Sequence, residues 1–258
     1  MNCTNPETRV LDHGYVRPIE HWGSDERIIE AARMSTAKGF QGWGPVESRC
    51  TAAHDAENER PCHVCCDTGK VSRAGDERLL RYLWEHKHAT PFEMAGLVVE
   101  VQAPIFVFRE WHRHRTQSYN ELSARYTEVP ELYYVPSIDR LRSGGQGKAN
   151  KQGSGEALSE TAASYSHTTI DESSEMSFAE YRRLLRDGVA REIARLVLPV
   201  NTYSRMRASA NLRNWLSFLT LRLDEAAQWE MRVYAEAVGA LVAERFPRTW
   251  ALFEEGRK

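Results

Sequence analysis

The residues best equipped for chemistry lie between Arg109 and Arg125, where the chain reads Arg-Glu-Trp-His-Arg-His-Arg-Thr-Gln-Ser-Tyr-Asn-Glu-Leu-Ser-Ala-Arg. Four arginines, two histidines, two serines, an asparagine and two glutamates in this span leave little that a hydrophobic core could use. Each guanidinium is a planar fork of donors that matches two phosphate oxygens at once, and hydroxyls and amides beside it can complete the shell. Such a run suits an anionic ligand rich in hydrogen-bonding groups. The plainer reading is a solvated basic helix end, where the helix dipole favours cations. That reading covers Arg113, His114 and Arg115, but it asks nothing of Ser118, Asn120, Glu121, Ser123 and Arg125 in that order.

The elements that must position these residues follow from periodicity. Val10–Val16 reads as a short first strand, and Asp25–Met34, opened by Ser24 as cap, reads as a helix. From Gly39 to Gly75 neither period holds, and Gly, Pro, charge and Cys dominate, so an insertion is expected at about 40–75. Helical spacing resumes at Asp76 with Leu79, Leu80, Leu83 and Trp84 and stops before Thr90-Pro91. Gly96–Val101 is rich in β-branched residues and reads as a strand, and Pro104 suits the first turn of a helix running into Arg115. Leu132–Val135 looks extended. Residues 143–174, dominated by Gly, Ser, Thr, Lys and Gln, predict a flexible loop or lid. The last third predicts helices over Met176–Arg186, Val189–Leu198, Leu212–Leu223 and Glu225–Arg245, with Tyr203–Ala210 extended. Strands interleaved with helices without a regular repeat point to an α+β fold in a single domain over residues 1–258.

The arginine-rich run resembles the signature of the flavin-dependent thymidylate synthases. That family carries Arg-His-Arg, seven residues and then a serine; this chain has Arg113-His114-Arg115, seven residues and Ser123. The longer form, Arg-His-Arg-x-x-Ser-x-Asn-Glu-x-Ser-x-Arg-Tyr, is matched at every fixed position from Arg113 to Tyr126. His88–Glu93 and Ala103–Val107 upstream, and Arg191–Pro199, Leu219–Arg222 and Ala227–Glu230 downstream, are similar to further family blocks in the same order.

The resemblance implies an α+β fold with a mixed helix and antiparallel sheet core, and methylation of dUMP to dTMP. It also implies methylenetetrahydrofolate as carbon donor, FAD as redox carrier, NADPH as reductant, and a homotetramer. By likeness Thr90, Arg113, His114, Arg115, Glu121, Asn211 and Arg213 would contact FAD, with His88 at the flavin edge near the folate. Arg113, Glu121, Ser123, Ala124, Arg125, Arg195 and Arg222 would hold the nucleotide, Ser123 and Arg125 at its phosphate. Uracil C5 is a weak nucleophile, so Arg222 would be catalytic, stabilising the negative charge that develops near N3 and its flanking carbonyl. Glu110 stands where the family commonly has glutamine, and Ser217 and Ala226 replace larger polar residues of some members. A carboxylate at 110 would repel phosphate unless Arg109 or Arg113 neutralises it. Periodicity by itself places Arg191 and Arg195 on the exposed face of a helix, opposite Val189, Ile193 and Val197.

Five cysteines, four between Cys50 and Cys66, make a disulfide framework an unsuitable reading for a chain whose start carries no signal-peptide pattern. They lie away from the matched blocks, which counts against a thiolate that attacks the pyrimidine. Cys62-x-x-Cys65 has zinc spacing but no second well-spaced pair, so a surface insertion without metal is the reading preferred. With a formal net charge of -2 and no apolar run long enough to span a bilayer, the expectation is a cytoplasmic protein without a membrane or nucleic-acid partner. An RNA-gripping module is the rival reading, disfavoured by that near-neutral charge and the missing aromatic motif. A family relative acting on another pyrimidine nucleotide stays open.

Overall fold

The computed structural model describes residues 7–49, 70–143 and 157–257. Along the chain, β1 (Thr8–Val10) and β2 (Gly14–Trp22) precede α1 (Asp25–Arg33), β3 (Val46–Arg49), β4 (Lys70–Arg73) and α2 (Asp76–Glu85). A 3-10 turn at Thr90–Met94 leads to β5 (Gly96–Pro104), α3 (Ile105–Trp111), β6 (Ser118–Glu121), α4 (Ile138–Arg142) and α5 (Glu160–Arg186). The chain continues through α6 (Arg191–Ala194), a 3-10 turn at Arg195–Val197, β7 (Tyr203–Asn211), α7 (Leu212–Arg222), α8 (Trp229–Arg245) and α9 (Pro247–Glu255). The expected mixture of helices with an antiparallel sheet is borne out.

Two compact units emerge, one of residues up to His21 with Gly96–Glu244 and the other of Trp22–Ala95 with the segment from Arg245 onward. The first is built on a five-stranded sheet in the order β1-β2-β5-β7-β6. Its spine is the antiparallel pair of β5 and β7, in register from Gly96 opposite Asn211 to Pro104 opposite Tyr203. Period-two alternation puts Leu97, Val99 and Val101 of β5 with Ala210, Ala208 and Met206 of β7 on the apolar face. Glu100 and Arg207 form a cross-strand pair on the other face, 3.4 Å apart. α7 lies across the apolar face, and the buried Trp215 indole donates to the Leu97 carbonyl at 3.0 Å. Asn211, the last residue of β7, caps α7: its side-chain oxygen accepts from the Asn214 amide at 3.0 Å. A Cβ at Gly14 would collide with the Tyr234 hydroxyl and the Val10 carbonyl, which explains glycine where the β1–β2 hairpin meets α8.

In the second unit, Ser24 caps α1 as expected, accepting from the Arg27 amide. The buried Asp25 accepts from the Arg248 amide at 2.8 Å and the Thr249 hydroxyl at 2.6 Å, and so ties α1 to the first turn of α9. The buried Asp76 pairs with Arg33 and accepts from the Gln41 amide.

Several expectations are corrected. The segment 143–174, expected as a flexible loop, carries helix from Glu160 onward, because α5 runs 27 residues from a Ser159 cap. Ala163, Ser174, Phe178 and Tyr181 recur on its buried side, and Ser and Thr side chains fold back onto carbonyls one turn earlier, as Ser166, Thr169 and Ser174 do. Composition misled here, since small polar residues tolerate a packed helix. Val10–Val16 is not one strand; Leu11, at φ 57°, turns the chain into a hairpin. The helix after Pro104 ends at Trp111, short of Arg115, and Ser118–Glu121 pairs with β7. The flanks of the 40–75 stretch pair as β3 with β4, whereas Cys50, Cys62, Cys65 and Cys66 lie outside the described residues. Val189–Leu198 reduces to the four residues of α6 and a 3-10 turn; Arg191 and Arg195 are exposed as expected, but Ile193 and Val197 are exposed too, and Ala194 is the residue buried there. α9 is an element that periodicity did not single out.

Replacing Asn211 by alanine leaves the Asn214 amide uncapped and is expected to lower stability by about 1 kcal/mol, with Asn211→Asp retaining most of it. Urea unfolding checks this: the midpoint falls with unchanged slope, whereas an unmoved midpoint contradicts the capping role.

Candidate active site

Three aromatic rings bring the chemistry-bearing residues together. Trp111 ends α3, and Trp215 and Phe218 lie one turn apart on α7; all three are fully buried. The Trp111 ring meets Phe218 at 4.7 Å between centroids and Trp215 edge-on at 6.4 Å. Phe218 and Arg222 are four residues apart on α7 and share a face, so the packing that seats Phe218 against Trp111 carries Arg222 to the end of α3. There the guanidinium is held on three sides. Nη1 lies 2.8 Å from a Glu110 carboxylate oxygen, Nη2 donates to the Glu110 backbone carbonyl at 2.9 Å, and Nε donates to His114 Nε2 at 2.9 Å.

The turn after α3 is fixed from its own residues. The Trp111 indole donates to Gln117 Oε1 at 3.0 Å, the Tyr119 hydroxyl donates to the His114 carbonyl at 2.7 Å, and Asn214 on α7 donates to the Thr116 carbonyl at 3.1 Å. His114 stands edge-on to Phe218 at 4.9 Å. Burial, and after it the positive charge of Arg222, pushes the His114 imidazolium pKa down to about 4, so the ring is neutral at pH 7 and accepts from Arg222 rather than repelling it. Burial raises the Tyr119 phenol to about 12, which keeps it a donor.

A pocket of about 580 Å³ opens beside this group, lined by Glu110, Arg113, Arg222, Ala226, Ala227 and Gln228. Gln228 of this lining donates its side-chain amide to the buried Glu230 at 2.9 Å, which also accepts from Arg140 Nε at 2.7 Å and the Tyr134 hydroxyl at 3.3 Å. Neither Arg113 nor Arg115 has a carboxylate partner among the described residues, and both are exposed. The neutralising partner of Glu110 is Arg222, not Arg109 or Arg113.

The other site residues lie elsewhere in the unit or outside it. Glu121, on the edge strand β6, accepts from the Ser204 hydroxyl at 2.6 Å. Ser123, Ala124 and Arg125 follow β6, and Arg125 pairs with Glu192 on α6 at 2.9 Å, three residues ahead of the exposed Arg195. None of these lines the Arg222 pocket among the described residues. Asn211 and Arg213 sit at the start of α7, the former as its cap. His88 and Thr90 belong to the other unit, where His88 meets the Tyr82 ring edge-on at 5.6 Å and Thr90 opens the 3-10 turn. Sequence reasoning missed the tie of Glu110 to Arg222 and the lining by Gln228, although it had singled out Ala226. The spacing of Trp215, Phe218 and Arg222 was a signal that could have found the first.

An α+β protein with an arginine-bearing pocket at the junction of two helices is what fold and site define. The family profile described as thymidylate synthase complementing protein matches residues 17–248. A flavin-dependent thymidylate synthase of Thermus thermophilus is 40% identical over 247 residues, covering 95% of this chain and 77% of that one. That of Wolbachia pipientis wMel is 36% identical over 249 residues, covering 96% and 76%. A crystal structure of the UMP/dUMP methylase PolB from Streptomyces cacaoi with 5-Br dUMP aligns with a TM-score of 0.73 at 33% identity, over 96% of this chain and 97% of that one. This chain belongs to the flavin-dependent thymidylate synthase family.

The neutral His114 has a thermodynamic signature. Between about 4 and 6.5 the native ring binds fewer protons than the unfolded chain, so its contribution to stability is present above pH 6.5 and is lost as pH falls toward 4. NMR titration of the ring is expected to give a midpoint near 4. Arg222→Ala is expected to raise that midpoint part of the way, because burial remains. A wild-type midpoint at the ordinary histidine value contradicts the arrangement.

Proposed function

We propose that the chain methylates dUMP at C5 to give dTMP, with methylenetetrahydrofolate as carbon donor, FAD as redox carrier and NADPH as reductant. The observation that carries this reading is Arg222, held in a pocket beside Arg113 by a carboxylate, a carbonyl and a neutral imidazole. A guanidinium fixed in place before substrate arrives can stabilise negative charge on a pyrimidine carbonyl and N3 without first reorganising. Family membership and the match from Arg113 to Tyr126 support it.

Toward a flavin dinucleotide, the exposed Arg113 and Arg115, without a carboxylate partner among the described residues, would suit the pyrophosphate, with His114, Glu121, Asn211 and Arg213 of the same unit as further contacts by family likeness. The flavin, when bound, supplies the hydride chemistry that side chains lack. The nucleotide goes to Ser123, Ala124, Arg125 and Arg195, with its phosphate at Ser123 and Arg125. The Arg125–Glu192 pair is exposed on both sides and contributes at most about 1 kcal/mol, so a phosphate can displace Glu192. Glu121 and Arg113 border both ligands. A homotetramer in the cytoplasm completes the reading; among the described residues no helix is long and apolar enough to cross a membrane. UMP is a second reading, because the aligned methylase structures carry both 5-Br dUMP and 5-Br UMP.

Purified protein given FAD is expected to show flavin absorption and to oxidise NADPH faster with dUMP present. Arg222→Ala is expected to remove dTMP formation, by about 100-fold or more, while leaving flavin uptake intact. A colourless protein that never takes up FAD contradicts the reading, and near wild-type dTMP formation by the variant contradicts the role of Arg222. Turnover with UMP but not dUMP favours the second reading.

A further inference from the structure

We propose that Glu110 is a positioning residue for Arg222, setting which of its N–H groups face the pyrimidine; the inference rests on the reading above. Arginine carries five N–H donors. Three of them are taken inside the chain, by the Glu110 carboxylate, the Glu110 carbonyl and His114 Nε2. Two remain, one on each terminal nitrogen, so the guanidinium still has a pair of donors for a carbonyl and, once it has lost its proton, the adjacent ring nitrogen. The pocket wall on that side is Arg113 with residues 226–228, which bring no carboxylate of their own.

The grip on Arg222 is unequal. The carbonyl of Glu110 is backbone and His114 is held by Phe218, so both acceptors persist whatever stands at position 110. The carboxylate is the removable part. It is also partly shielded: the Arg222 side chain is 17% exposed and the Glu110 side chain 30%. Without it Nη1 loses its acceptor, and the fork can pivot about the two remaining bonds toward the exposed mouth. Because a guanidinium there favours the pyrimidine with negative charge on N3 and its flanking carbonyl, the form whose C5 is nucleophilic, a misdirected fork costs the chemical step more than it costs binding.

A glutamine keeps an acceptor oxygen for Nη1 while removing the negative charge. The test is a comparison of Glu110→Ala and Glu110→Gln with the wild-type holoenzyme, measuring kcat and KM for dUMP, dUMP affinity by calorimetry, and thermal unfolding. For E110A the expected result is a kcat lower by about 10- to 100-fold with dUMP affinity changed by no more than about threefold. For E110Q it is a kcat within about threefold of wild type, as an amide oxygen replaces the carboxylate's. Should E110A not fold, E110M, of similar length and without a strong acceptor, takes its place. An E110A kcat equal to wild type overturns the proposal. So does an E110Q as slow as E110A, or an E110A that binds dUMP more tightly at unchanged kcat, which would make position 110 a repelling charge and nothing more. Loss of activity that tracks loss of fold in both variants also overturns it. A wild-type protein that neither binds dUMP nor methylates it fails the underlying reading, an outcome separate from any ranking of the variants.

Discussion

Packing of Phe218 against Trp111 is the contact on which the pocket depends. Every polar interaction made by Arg222 presupposes that the C-terminal turn of α7 lies beside the C-terminal turn of α3. The bonds to Glu110 and His114 are too dependent on distance to draw two helices together, since a hydrogen bond contributes only about 1 kcal/mol net. Buried aromatic area contributes more, about 25 cal/mol per Å² removed from water, and it is set by Trp111, Trp215 and Phe218 together. The aromatic contact is therefore the cause of the alignment and the polar contacts its refinement. Trp215 adds a second anchor, since its indole reaches the Leu97 carbonyl and fixes α7 to the central strand pair.

On the proposed reading, the charges around this wedge suit a nucleotide. A carboxylate inside an anion-binding region is unfavourable unless neutralised, and Arg222 neutralises Glu110 at 2.8 Å. The adjacent histidine stays uncharged because burial and Arg222 both oppose its protonation, so the group can accept from the guanidinium. Arg113 and Arg115, free of carboxylate partners among the described residues, keep their charge available to an anion. Arg222 is thus a cation satisfied within the chain, and Arg113 and Arg115 are open ones.

Much of this was legible in the residues. The Arg113–Tyr126 pattern, the α+β class, the Ser24 cap, the strand from Gly96 and the helix from Leu212 follow from local rules, because each rests on spacing within a few residues. The failures share a physical cause. β6 is a strand only because β7 offers it an edge, and nothing within Ser118–Glu121 records that partner. α5 looked like a loop because serines and threonines were weighed by propensity, although their hydroxyls bond back within the helix and the buried side faces tertiary partners. The Glu110–Arg222 pair spans 112 residues and depends on aromatic packing, so spacing near position 110 pointed to the wrong arginines.

A crystal structure of this chain with FAD and dUMP tests the central claim most directly. The account requires the pyrimidine edge of dUMP to lie within hydrogen-bonding distance of the two terminal nitrogens of Arg222, with Phe218 still seated on Trp111 and Glu110 still bound to Nη1. A nucleotide bound away from Arg222, or an Arg222 swung out of its contacts with Glu110 and His114 when the nucleotide is present, contradicts it.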